Sequence, residues 1–271
     1  MSRRLPLQRL ACLACLACRA GGQRVLTLLL ASALAVPSAA ADPALPGDLL
    51  QGAHIGAGWR VITWPQQKVE ATRYTVEAVE AANRPGASAT ASNMALRIEA
   101  QRSYGNLVHT LPAVPAPQRL AWSWRVPQGN AAVVLNQKSG DDAPVKVCLG
   151  FDLPLARVPF MERQLLRLAR SRSSEPLPAA TLCWVWGGAE AVGTLQHNPY
   201  TSRVRSIVLR HHAQADGRWF DEDRDVAADF QRAFGDESTS LPPVIAFIVA
   251  GDADNTGGHS IAHLSGLRWL P

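Results

Sequence analysis

Residues 252–260 read DADNTGGHS and gather oxygen donors: carboxylates at Asp252 and Asp254, an amide at Asn255 and a hydroxyl at Thr256. Calcium takes about six to eight oxygens in flexible geometry, so such a loop has chemistry it can do. Set against a helix–loop–helix calcium loop, Asp252, Asp254 and Thr256 take the first, third and fifth positions, and Gly257 the sixth. The last position needs a bidentate Glu and holds His263, and the residues before Asp252 read as a strand, so that motif is absent. A Ca2+ site shared between two loops stays open. SGDDA (139–143) is the best second loop, and the candidate ligands are Asp141, Asp142, Asp252, Asp254 and Asn255. The competing reading is that these side chains only brace turns through local backbone hydrogen bonds.

The same acids suggest a second chemistry. Glycoside hydrolysis needs two carboxyl groups about 5–9.5 Å apart, and Asp141, Asp142, Glu222, Asp225, Asp252 and Asp254 offer many pairs among which sequence cannot choose. Histidines add little. His211 and His212 are neighbours at a strand end, where side chains point to opposite faces, and His259 and His263 are four apart in a segment that reads as strand or loop. No HExxH, GxSxG, Walker or GxGxxG pattern occurs, which leans the reading away from an enzyme. Tryptophan offers a third chemistry, stacking on sugar rings. Trp122 with Trp124, and Trp184 with Trp186, each share a strand face and are expected in the core. Trp59, Trp64 and Trp219 lie beside loop ends and are the candidate binding residues.

These side chains must be positioned by short strands. Ten segments carry the signal: 59–64, 73–80, 93–101, 105–111, 119–126, 144–151, 181–187, 202–210, 243–251 and 259–269. In RLAWSWRV, Leu120, Trp122, Trp124 and Val126 share one face, and in PVKVCLGF, Val145, Val147, Leu149 and Phe151 do. VIAFIVA alternates poorly and reads as a central strand covered on both sides. Two helices interrupt. One, over 222–235, aligns Val226, Phe230 and Phe234, with Glu222, Asp223 and Asp225 as a first acidic turn; the other, over 159–173, puts Met161, Leu165 and Leu168 on one face and Arg163, Arg167 and Arg170 on another. That basic stripe reads as a solvated face, with attraction to anionic lipid or polysaccharide as the sharper alternative. The expected fold is mainly β: an antiparallel, jelly-roll-like β-sandwich with one or two short peripheral helices.

Residues 1–41 carry five arginines and no acid, ahead of the apolar run VLTLLLASALAV and the small-residue pattern SAAADP. They read as a signal peptide cut before Asp42, with a retained anchor as the alternative, and residues 42–271 read as a single domain that is periplasmic or secreted. The formal charge of +5 resides wholly in that leader; the remainder has 22 basic and 22 acidic residues, so composition gives no case for nucleic acid. Cys12, Cys15 and Cys18 fall in the leader, leaving Cys148 and Cys183, which in an oxidising compartment suggest one disulfide, with two buried thiols as the alternative.

Several blocks in order carry a resemblance: GW near the start, WSWRV, KSGDDAPVKVCLGF, LCWVWG, WFDEDRDVAADFQRAFG and IVAGDADNTGG. Together they resemble an uncharacterised bacterial secreted family, domain of unknown function 3047, over most of residues 55–269. Cys183-Trp184 stands where an aliphatic–Tyr pair is expected, and Asp225 where Asn is usual. The resemblance implies an exported β-rich domain and supplies no activity to carry over. The expected function is a non-catalytic module that binds a cell-envelope component such as a polysaccharide or protein. A glycosidase-like hydrolase and a structural envelope protein are the alternatives.

Overall fold

The computed structural model describes residues 48–64, 66–79, 93–173 and 175–270. The expected leader lies outside them. In chain order the strands are β1 (Leu50–Gln51), β2 (His54–Ile55), β3 (Trp59–Ile62), β4 (Arg73–Ala78), β5 (Met94–Gln101), β6 (Asn106–Val114) and β7 (Arg119–Gln128). Then follow β8 (Ala143–Phe151), helix α1 (Phe160–Arg172), β9 (Ala180–Trp186), β10 (Leu195–Asn198), β11 (Thr201–Arg210), β12 (Phe220–Asp225), helix α2 (Val226–Phe234), β13 (Val244–Asp252) and β14 (His259–Leu270).

Two sheets stack as a sandwich. One runs β10-β11-β9-β8-β13-β6-β3 and the other β12-β7-β14-β5-β4, with β1 and β2 a small separate pair. From β5 to β8 the chain alternates between the sheets, and β13 and β14 do so again, which gives the jelly-roll-like character. β13 lies between β8 and β6, and β14 between β7 and β5, so each is an interior strand of its sheet. The sandwich is not wholly antiparallel. β11 runs parallel to β9, because the chain leaves β9 and returns through β10 before pairing.

Alternation decides what the sheets enclose. Trp122 and Trp124 of β7 face Trp184 and Trp186 of β9, with ring centroids 5.6 Å apart for Trp122–Trp184 and 5.8 Å for Trp124–Trp186. All four are fully buried, so both tryptophan pairs fill the core rather than form external platforms. Three of their indoles find acceptors: Trp124 donates to Glu222 (2.9 Å), Trp184 to Asp229 (2.7 Å) and Trp186 to the His211 carbonyl (3.1 Å). A buried indole N–H that keeps its hydrogen bond avoids most of the desolvation penalty.

Two helical expectations change. Residues 222–225 are strand, not the first turn of a helix: they pair with β7, and α2 begins at Val226 with Asp225 as its N-cap, accepting from the Ala228 N–H at 2.9 Å. Strand pairing satisfies the backbone of Glu222–Asp225, and Arg224 forks onto Asp229 instead. In α1 the stripe of Met161, Leu165 and Leu168 faces outward; only Leu166 is buried. Among the described residues no helix is long and apolar enough to cross a membrane.

Candidate functional site

The outer face of the seven-stranded sheet carries the site, and strand parity puts it there. In β8, Val145, Val147 and Leu149 enter the core, so Lys146 and Cys148 point the other way. In β13, Phe247 and Val249 enter the core, so Ile248, Ala250 and Asp252 point outward. These join Thr181 and Cys183 of β9, Asn106 of β6 and Val204 of β11 to line a cleft of about 720 Å³. Helix α1 walls one side with Leu165, Leu166 and Ala169. The structure joins Cys148 and Cys183, directly opposite each other on β8 and β9, by a disulfide in the cleft lining.

The SGDDA and DADNTGG loops meet at one end of the cleft. Asp142, fully buried, is the fastener. Its Oδ2 accepts from the Thr256 N–H (2.7 Å) and hydroxyl (2.5 Å), and its Oδ1 from the Asn255 backbone and side-chain amides (3.2 Å each). Gly257 has φ +65° at the turn that follows, a conformation that favours glycine. A Cβ on Gly258 would lie 2.2 Å from the Asn130 amide, which itself donates to Thr256 Oγ1 at 2.7 Å. The loop is therefore wedged against its neighbours as well as hydrogen-bonded.

Asp252 is held by the Ala143 N–H (2.7 Å) and the Lys146 ammonium (2.6 Å). Burial works against the Lys146 charge, but Asp252 and Asp141 outweigh it and raise its pKa above the ordinary lysine value. Asp141 accepts a hydrogen bond from Asn198, and burial, opposed mainly by Lys146, pushes its carboxyl up to about 6. Asp254 also rises to about 6, through burial and then repulsion from Asp252 and Asp142; its Oδ1 is buried without a hydrogen-bond partner among the described residues. Asn255 accepts from the Tyr200 hydroxyl at 2.8 Å.

All five candidate cation ligands thus gather in one place, and ligand atoms of Asp142, Asp252 and Asp254 lie within 4.8 Å of one another. Their oxygens are largely spoken for. Asp142 accepts four hydrogen bonds, and Asp252 already has a cation in Lys146. A divalent ion here would have to displace the Lys146 ammonium and loosen the loop.

The tryptophan candidates separate. Trp64 lines the cleft, 61% exposed, and stacks on Tyr104 at 5.1 Å with 15° between planes. Gln67 fixes that segment by donating to the Tyr104 carbonyl at 2.9 Å. Trp59 is half-buried, packed against His109 and Phe247. Trp219 is buried with Val79 and Ala95 on the other sheet, with the Arg125 guanidinium 5.0 Å from its ring centre. Glu222 and Asp225, counted among the acids, serve structure: Glu222 holds Trp124 and Arg210, and Asp225 caps α2. His259 and His263 bond to Glu99 and Glu77 respectively, at 3.2 and 2.6 Å. Sequence reasoning missed Tyr104, Lys146, Asn198 and Tyr200. Only Lys146 left a signal, as a lone charge on the non-core face of an otherwise apolar strand.

A family model described as a protein of unknown function, DUF3047, matches residues 57–268. The chain belongs to DUF3047. Both acidic loops and every cleft residue named above lie inside the DUF3047 match. No curated protein sequence matches the chain. Similar solved structures include a family 11 carbohydrate-binding module from Clostridium thermocellum in complex with a β-1,3-1,4-mixed-linked tetrasaccharide, at 8% identity and TM-score 0.36 over 82% of this chain and 93% of that one. Endoglucanase 3 of family GH12 from Trichoderma harzianum is similar at 10% identity and TM-score 0.37 over 79% and 100%. The xyloglucanase domain of NopAA from Sinorhizobium fredii, in complex with cellobiose, is similar at 8% identity and TM-score 0.38 over 78% and 92%.

Proposed function

We propose that this DUF3047 domain binds a segment of a cell-envelope polysaccharide in the cleft of its seven-stranded sheet. One observation carries the reading: an exposed, pre-stacked aromatic face, Trp64 on Tyr104, borders a polar cluster in a cleft of about 720 Å³. Sugar rings present C–H faces that pack on aromatic planes and hydroxyls that bond to carboxylates, amides and phenols. Asp141, Asp254, Asn198, Asn255 and Tyr200 supply those groups at one site. A volume of roughly 300–1,000 Å³ is typical of ligand clefts. The test is calorimetric titration with soluble envelope glycans, alongside Trp64→Ala. Binding that weakens about tenfold or more in the variant, about 1.4 kcal/mol, supports the reading; no uptake of any such glycan overturns it.

Glycoside hydrolysis is the second reading. It is favoured by two carboxyls, Asp141 and Asp254, both pushed up to about 6 within the same cleft. A general acid needs its proton near neutral pH, and burial is one way to keep it. Reducing-end release from a bound glycan, lost in both Asp141→Asn and Asp254→Asn while affinity persists, would establish it. Binding without release in the wild type leaves the binding module.

A further inference from the structure

Helix α1 turns its apolar stripe the wrong way for a globular protein. Phe160, Met161, Leu165 and Leu168 are 63%, 69%, 59% and 49% exposed. They are four of the nine large apolar side chains exposed among the described residues. The helix is held to the body by other means: Leu166 is buried, Arg170 donates twice to the Leu177 carbonyl (2.9 and 2.7 Å), and Glu162 lies 3.6 Å from Arg203. Those ties leave the outward face free of acids. Arg167 and Arg172 project among the exposed apolar residues, and Arg163 lies beside Phe160, 5.9 Å from its ring centre.

We propose that α1 is a docking helix for an anionic phospholipid surface. Thirteen residues give a helix about 20 Å long, enough to lie in the headgroup plane with Phe, Met and Leu entering the acyl boundary and Arg meeting lipid phosphates. Interfacial helices combine these features: a strong apolar face, basic flanks and no need to span. Charge decides for lipid against the other occupants. A second copy of this helix would bring Arg167 and Arg172 against like charges, and a neutral glycan would leave them without partners. Docking would set the mouth of the cleft, which Leu165 helps to line, against the membrane surface. The inference does not depend on what the cleft holds.

Hydrogen exchange of the full chain at residues 160–172 tests this, with vesicles of phosphatidylglycerol and of phosphatidylcholine. A local readout is required because residues 25–36 are themselves an apolar run. Phosphatidylglycerol should slow exchange at 160–172 by about fivefold or more, and 1 M salt, where the screening length is about 3 Å, should largely remove the effect. Leu165→Glu with Leu168→Glu should abolish the protection, as should Arg167→Glu with Arg172→Glu, while Arg167→Lys with Arg172→Lys should keep it. Melting curves serve to show that the surface variants remain folded. Unchanged exchange with phosphatidylglycerol overturns the proposal. So does protection that appears without lipid as protein concentration rises, which would mark a self-association face, or protection by soluble polysaccharide alone.

Discussion

At the scale of single residues, Asp142 and Lys146 do different work from the acids around them. Asp142 accepts four hydrogen bonds from the facing loop. Asp142→Ala leaves the part-buried donors of Asn255 and Thr256 without their carboxylate and should cost about 2 kcal/mol in urea unfolding. Lys146 is the countercharge of the cluster. Lys146→Ala removes one partner of a buried pair, a loss of about 3–5 kcal/mol, and frees Asp252 to take a cation. Millimolar calcium should then raise the melting temperature of Lys146→Ala while leaving that of the wild type unmoved; a rise in the wild type would show that the ammonium is displaced. The pH dependence follows from Asp141 and Asp254. Both are raised to about 6, so the folded state holds their protons more tightly than the unfolded chain, and stability falls as pH rises from about 4 through 6. Asp254→Asn removes one such group and should gain about 1 kcal/mol relative to wild type at pH 7.5 and nothing at pH 4, a modest figure because the side chain is only partly buried. The acids themselves were legible from sequence as a two-loop cluster. Their separation into fastener, ion-pair partner and perturbed carboxyls was not, since it depends on which donors the opposite loop presents.

At the scale of elements, strand parity was the readable quantity. Alternation in 119–126 and 144–151 placed Trp122, Trp124, Val145 and Val147 on the core side correctly, and the poor alternation of VIAFIVA (244–250) matched an interior strand. Periodicity failed where polar residues pair in a sheet edge. Phe220–Asp225 is acidic on paper, yet it is a strand because β7 offers it a ladder. In α1 spacing marks the apolar stripe correctly but cannot say which way it faces. Cys148 and Cys183 lie opposite each other on neighbouring strands and close 35 residues of sequence, including α1. Replacing both with Ala should lower stability by about 3–4 kcal/mol on the chain-entropy scale, measured by urea unfolding, and should loosen the cleft lining.

At the scale of the whole molecule, four indoles in edge-on and tilted contact join the two sheets. Trp122→Phe and Trp184→Phe trim similar rings from the same layer, but Trp184 also donates to the buried Asp229. Trp184→Phe should therefore cost about 1–2 kcal/mol more than Trp122→Phe, and equal costs would mean that the indole bond to Asp229 contributes nothing net.

β13 and β14 follow every other described strand in the chain, yet each is the keystone of its own sheet. Until both have been synthesised, β8 and β6 lack the strand between them, and so do β7 and β5. A nascent polypeptide halted at residue 243 would hold four unmatched strand edges and no closed sandwich, a state open to proteases and to aggregation. Closure of both sheets thus waits on the last two described strands.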